Sequence, residues 1–223
     1  MTLSLLLEAR PLAYNTYMPS RNTRKQYSED SYYHIYSRGG NKQLVFVDSL
    51  DYIYFLGLLK RYLSNDLSKS SARIVYKNYS KEITLLAYCL MPNHIHILIH
   101  QNDKNSISHF MQSIMTSYSM YFNKRHKHIG PVFQSRYLAS IVDQDEYLHH
   151  ISRYIHLNPK KWRTYPYSSI SNYLDEKTAD WVKPNIILGL FNNDKNKYRI
   201  FLGDYKEQKE LIDELKWELA NDD

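Results

Sequence analysis

The sequence predicts an α+β fold, a ferredoxin-like or RRM-like antiparallel sheet with helices packed on one face, and three features carry that reading. Strand-like and helix-like periodicities alternate along residues 31–158 in the order strand, helix, strand, strand, helix, strand, helix. Met91-Pro92-Asn93 sits between two apolar runs as a hairpin turn would, because proline cannot donate to a sheet ladder. From 106 to 127, apolar side chains recur at three- and four-residue spacing, the clearest helix signal in the chain.

Residues 1–30 read as a flexible N-terminal extension. Apart from a short leucine run at 3–7 they lack periodicity, and 19–30 is polar and basic. Met18 is an alternative start to Met1 on that reading. Residues 31–38 (SYYHIYSR) alternate as a strand does, and Gly39-Gly40-Asn41 ends them in a turn. Asp48 suits the N-cap of a helix reaching residue 65, with Tyr52, Phe55, Leu56, Leu59 and Leu63 on one face. The polar residues 66–80 connect, and 82–90 and 94–100 are the hairpin strands. A strand over 133–142 precedes a helix over 143–158, which Pro159 halts by disfavouring helical geometry in the residue before it. Short helical segments follow, carrying Trp181, Ile186, Leu188, Phe191, Tyr198, Phe201 and Leu202, with a last one at 207–219. The chain thus divides into the extension at 1–30, a central unit at 31–165 and a helical C-terminal extension at 166–223.

With 223 residues, 43% of them hydrophobic, the chain can bury a core. No run approaches the roughly 18 apolar residues of a membrane helix, and the leucine run is too short for a signal peptide. The single cysteine, Cys89, cannot form an internal disulfide and suits a reducing compartment. A cytoplasmic protein with no membrane partner is expected. The net charge of +6 favours a polyanionic partner, since Lys and Arg on phosphates release condensed counterions. The 22 tyrosines, against 7 Phe and 3 Trp, add rings on which bases can stack.

Two constellations carry chemistry. In the strand at 94–100, His94 and His96 point to one face and Ile95, Ile97 and Ile99 to the other. Two imidazoles on an exposed sheet face can chelate a divalent cation, or simply form a polar face. Tyr154 and Asn158 lie four residues apart on one helix side, beside the apolar stripe Leu148, Ile151 and Ile155. Asn158 could supply an oxygen ligand and Tyr154 a nucleophile, though Tyr147 lies on nearly the same side and competes for that role. Cations cluster nearby in sequence: Lys124, Arg125, His126 and Lys127 close the long helix, and Arg136, Arg153, Lys160, Lys161 and Arg163 flank the tyrosine helix. A groove that tracks phosphates is expected there.

The segments YHIYSRGGNK at 33–42, CLMPNHIHIL at 89–98, GPVFQSRYLASIV at 130–142 and EYLHHISRYIHLNPKKW at 146–162 together resemble the HUH single-tyrosine transposases, most closely the REP-associated branch. Tyr165-Pro166-Tyr167-Ser168-Ser169 is similar to that family's downstream Y-x-x-S-S element. The resemblance implies that His94 and His96 bind Mg²⁺ or Mn²⁺. It also implies a catalytic tyrosine four positions before a metal-ligating polar residue, which Tyr154 and Asn158 match, whereas Tyr147 has Ile151 at that spacing. The implied activity is that of a metal-dependent single-stranded DNA transposase. Such an enzyme is an endonuclease and strand transferase that acts at hairpin-flanked sites through a 5′-phosphotyrosine, as a monomer or homodimer. Arg38, Arg125, Arg136 and Lys160 are expected to contact the DNA backbone. The alternatives are a domesticated hairpin-binding protein that does not cut, a metallohydrolase that uses water as nucleophile, and a basic scaffold protein with no site.

Overall fold

The computed structural model describes residues 27–65, 76–142, 145–175 and 179–204. The N-terminal extension up to residue 26, most of the connection at 66–80 and the last helical segment at 207–219 lie outside the described residues. Strand β1 (Ser31–Arg38) leads into α1 (Ser49–Leu63), the hairpin β2 (Ile83–Met91) and β3 (His94–Gln101), then α2 (Ser106–His126), β4 (Leu138–Val142) and α3 (Asp145–Leu157). Three short helices follow: α4 (Ile170–Leu174), α5 (Asn185–Gly189) and α6 (Lys195–Gly203).

The strands pair in the order β2-β3-β1-β4, every pair antiparallel. The β1-α1-β2 and β3-α2-β4 crossovers each skip one strand, which makes the sheet ferredoxin-like. Strand alternation sends Tyr33, Ile35, Ile95, Ile97 and Ile99 to one face, where they bury against Phe55 and Leu59 of α1 and Phe110, Ile114 and Tyr118 of α2. Asp48 caps α1 by accepting from the Leu50 amide at 2.9 Å, as its position before the periodic run suggested. Gly39 is needed where it stands: a Cβ there would penetrate the Gln43 carbonyl oxygen, and its amide donates to Asn93 at 2.9 Å, holding the end of β1 against the hairpin turn.

Two features depart from the sequence reading. The fourth strand starts at Leu138 instead of residue 133: the adjacent Val132 and Phe133 both turn into the same core on the helix side, which strand alternation does not allow, and Phe133 keeps one bridge, to Gly39. The histidine face, expected to be exposed, is covered. A bulge between Leu85 and Ala87 turns both Leu86 and Ala87 toward that face, where they join Cys89, Leu98 and Val142. Leu148, Ile151 and Ile155 of α3 pack on this apolar floor, backed by Tyr173 of α4, Ile187 of α5 and Tyr198 of α6. The sheet therefore lies between two cores.

The segment after residue 165 also closes the free edge of β2. Leu90 donates to the Tyr167 carbonyl at 2.9 Å, Ser169 donates to that of Tyr88 at 3.0 Å, and the Tyr165 hydroxyl donates to that of Leu90 at 2.6 Å. Among the described residues, no helix is long and apolar enough to cross a membrane.

Candidate active site

On the covered face, β1 presents His34, Tyr36 and Arg38, and β3 presents His94 and His96, with Tyr36 opposite His96 and Arg38 opposite His94. Asn158 follows the last turn of α3 and reaches between the two β3 histidines. Its side-chain oxygen lies 3.1 Å from Nε2 of His94, and its amide nitrogen 3.4 Å from Nε2 of His96. One turn back, the Tyr154 ring meets His96 edge-on, with centroids 5.1 Å apart at 82°, and His34 at 5.9 Å and 81°. The Tyr147 ring instead joins the apolar packing of the second core.

Both β3 histidines are held from behind. Nδ1 of His94 lies 2.7 Å from the side-chain oxygen of Asn93, the last residue of the hairpin turn. Nδ1 of His96 lies 3.0 Å from Nε2 of His34, with the two rings stacked at 5.2 Å. Burial lowers the pKa of His34 to about 4. Burial likewise brings His94 to about 4, with Arg38 adding to the shift and the Asn158 contact opposing it. Burial, together with His94 and His34, puts His96 well below the usual imidazole range. All three rings are therefore neutral near pH 7 and offer lone pairs. The Tyr154 phenol is pushed above its ordinary value by burial, with Tyr36 and Cys89 adding to the rise, and the residue is only 4% exposed.

Among the described residues, no group of three or more His, Cys, Asp or Glu side chains is placed to hold a metal. The donor set here is different: two imidazoles and a carboxamide. A neutral His94 that donates from Nδ1 to Asn93 keeps a lone pair on Nε2, and that lone pair faces the Asn158 oxygen at 3.1 Å. Two facing acceptors repel unless a cation lies between them. Neighbouring ligands of an octahedral ion with bonds of about 2.1 Å stand about 3.0 Å apart, so the spacing fits such an ion.

Residues 58–158 match the model of the family described as "Transposase IS200 like", a stretch that ends on Asn158 and includes His94, His96 and Tyr154. Over that stretch the chain is similar to the IS200-like transposases. No curated protein matches the chain. Among solved structures, a REP-associated tyrosine transposase bound to a REP hairpin is similar to it at 13% identity and a TM-score of 0.48, over 70% of this chain and 88% of that one.

The basic residues of the chain do not gather as the sequence reading expected. Arg38 lies at the site, beside His94, and its Nε donates to the Gln134 side chain at 2.6 Å. Arg136 and Lys160 are exposed, in the turn before β4 and just beyond Asn158. Arg125 is elsewhere, on the helix layer across the sheet, where its guanidinium holds Asp48 at 2.7 Å and Asp51 at 2.8 Å. Arg153 is buried, with its guanidinium carbon 4.1 Å above the Phe201 ring. The fold binds these two cations internally because each meets a buried carboxylate or ring that sequence neighbours do not reveal. Sequence reasoning also missed His34 and Asn93. Strand alternation places His34 on the face of Tyr36, but only the β1–β3 register brings it to His96.

Proposed function

We propose that this protein is a metal-dependent single-stranded DNA transposase that cuts and rejoins hairpin-flanked strands through Tyr154. The convergence of His94, His96 and Asn158 beside the Tyr154 ring carries this reading. The hairpin-flanked character of the substrate rests on the sequence resemblance. His94, His96 and Asn158 would hold Mg²⁺ or Mn²⁺, which when bound supplies a Lewis acid for a non-bridging phosphate oxygen. Tyr154 attacks the scissile phosphorus in line: the phenol oxygen–phosphorus bond forms, the bond to the 3′ oxygen breaks, and that oxygen leaves as a hydroxyl after taking a proton. The phenolic proton passes to water. The 5′-phosphotyrosine conserves the bond energy, so a second 3′-hydroxyl reverses the attack, joins the strands and releases Tyr154. Arg38 at the site, with Arg136 and Lys160 on the surface, fits contacts to the DNA backbone.

One observation favours a hairpin-binding protein that does not cut: the phenol is buried and its pKa raised, so a phosphate must displace what covers it. Labelled single-stranded hairpin DNA from the gene's own flanks, incubated with Mn²⁺ or with EDTA and run on denaturing gels, separates the two. A covalent adduct that needs Mn²⁺, disappears in Tyr154→Phe and His94→Ala and persists in Tyr147→Phe is the expected result. Binding without an adduct, across several hairpins, establishes the non-cutting reading instead.

A further inference from the structure

A second surface lies on the outer side of the helix layer, with α1, α2 and the sheet between it and the histidines. Here α1 and α2 leave an open groove of about 630 Å³. On it Tyr54 and Tyr121 stack flat on each other, with centroids 3.7 Å and planes 5° apart. Tyr76 is 41% exposed and lies under the Arg61 guanidinium at 4.5 Å, and Met120 is 69% exposed. Arg61, Lys124 and Arg125 line the groove, and no carboxylate does among the described residues. Arg125 is neutralised by Asp48 and Asp51, which leaves Arg61 and Lys124 as exposed positive charge at either end of the tyrosines.

Flat aromatic rings between exposed cations match one kind of ligand. One face of each ring is taken, Tyr54 and Tyr121 by each other and Tyr76 by Arg61; a single strand of nucleic acid offers bases for the outer faces and a phosphate for each cation, and base–aromatic stacking tolerates any base sequence. An acidic peptide would use the cations and leave the rings exposed; a duplex keeps its bases stacked inside and cannot use the rings. We propose that the α1–α2 groove binds single-stranded nucleic acid, with bases on Tyr54, Tyr76 and Tyr121 and phosphates on Arg61 and Lys124. This site is separate from the histidine site and does not depend on the transposase reading. If that reading holds, the groove gives the chain a grip on the strand away from the point of cutting.

The test is fluorescence anisotropy with labelled oligothymidylate of on the order of ten nucleotides, with EDTA present so that the histidine site is metal-free. The full-length protein is compared with Arg61→Glu/Lys124→Glu and with Tyr76→Ala, all exposed positions; circular dichroism melts check that each variant folds. The charge reversal is expected to weaken binding at least tenfold and to flatten the salt dependence by roughly two phosphate contacts. Tyr76→Ala is expected to weaken it on the order of tenfold, the loss of one stacked base. Failure of the wild type to bind, or equal binding by wild type and both variants, overturns the proposal. So does polyglutamate competing as well as oligothymidylate while Tyr76→Ala changes nothing, which makes the groove a general cationic surface. Hairpin cleavage with Mn²⁺ is followed in parallel. Its absence in the wild type strikes the transposase reading and leaves the groove result standing on its own.

Discussion

His34 contributes no donor to the proposed cation, yet it governs which nitrogen of His96 can. Nδ1 of His96 must carry the proton if Nε2 is to offer its lone pair toward Asn158, and Nε2 of His34 is the group that receives that proton at 3.0 Å. His34→Phe keeps the ring volume and removes the acceptor. The expected outcome is Mn²⁺ affinity weakened by about 10- to 100-fold in calorimetry, with part of it recovered in His34→Gln, whose side-chain oxygen can accept. A purely packing role for His34 would give the same affinity in the phenylalanine and glutamine variants. Long-range nitrogen–proton spectra of the metal-free protein give a second readout, because the His96 tautomer should shift in His34→Phe and return in His34→Gln.

Helix α3 carries Tyr154 and leads directly into Asn158, and its placement depends on His156 between them. Nε2 of His156 lies 2.7 Å from the Ser169 hydroxyl and Nδ1 lies 2.7 Å from that of Tyr198, while the Ser169 hydroxyl also accepts from the Tyr88 amide at 2.9 Å. One buried serine thus ties the tyrosine helix to strand β2. Ser169→Ala leaves two buried polar groups short of a partner and is expected to cost about 1–3 kcal/mol, read as a lowered midpoint of thermal unfolding. Acid tests the same element. Burial lowers the His156 pKa from 6.5 to about 3. The unfolded chain then takes up this proton first, so stability is full above pH 6.5 and falls as the pH drops, levelling off below about 3. At pH 5 the loss from this one group is about 2 kcal/mol, a Tm lowered by roughly 4–8 °C, and His156→Gln should flatten that part of the profile. Asp51 acts at lower pH. Burial alone would raise its carboxyl, but the Val47 amide, His126 and Arg125 outweigh burial and hold it below the usual range. Its contribution is therefore present above the unfolded carboxylate pKa and is lost as the pH falls through the folded value.

Across the whole molecule, what the sequence made legible was local, and what it hid was long-range. The alternation of 94–100, the Asp48 cap, the periodicity of 106–127 and the four-residue step from Tyr154 to Asn158 each concern neighbours in the chain, and each element formed close to where it was placed. The capture of Arg125 by Asp48 and Asp51 spans more than 70 residues, as does the Ser169 contact with β2, and the His34–His96 contact spans 62. Periodicity carries no information about such pairs. The covering of the histidine face has the same origin, since it depends on a bulge that reverses the facing of β2 after Leu85 and on helices that arrive later in the chain.

That covering changes how a nucleic acid can meet this scaffold. Four-stranded sheets of this topology often serve as open platforms on which unstacked bases lie flat against aromatic side chains in the middle strands. Here the corresponding surface is roofed by α3 and the helices behind it, so no base can lie across it. A strand must approach edgewise, at the rim where Arg38, the Asn93 turn and Asn158 come together, and present its sugar–phosphate chain before its bases. If the proposed cleavage at Tyr154 holds, base identity is invisible at that point and must be read somewhere else along the strand.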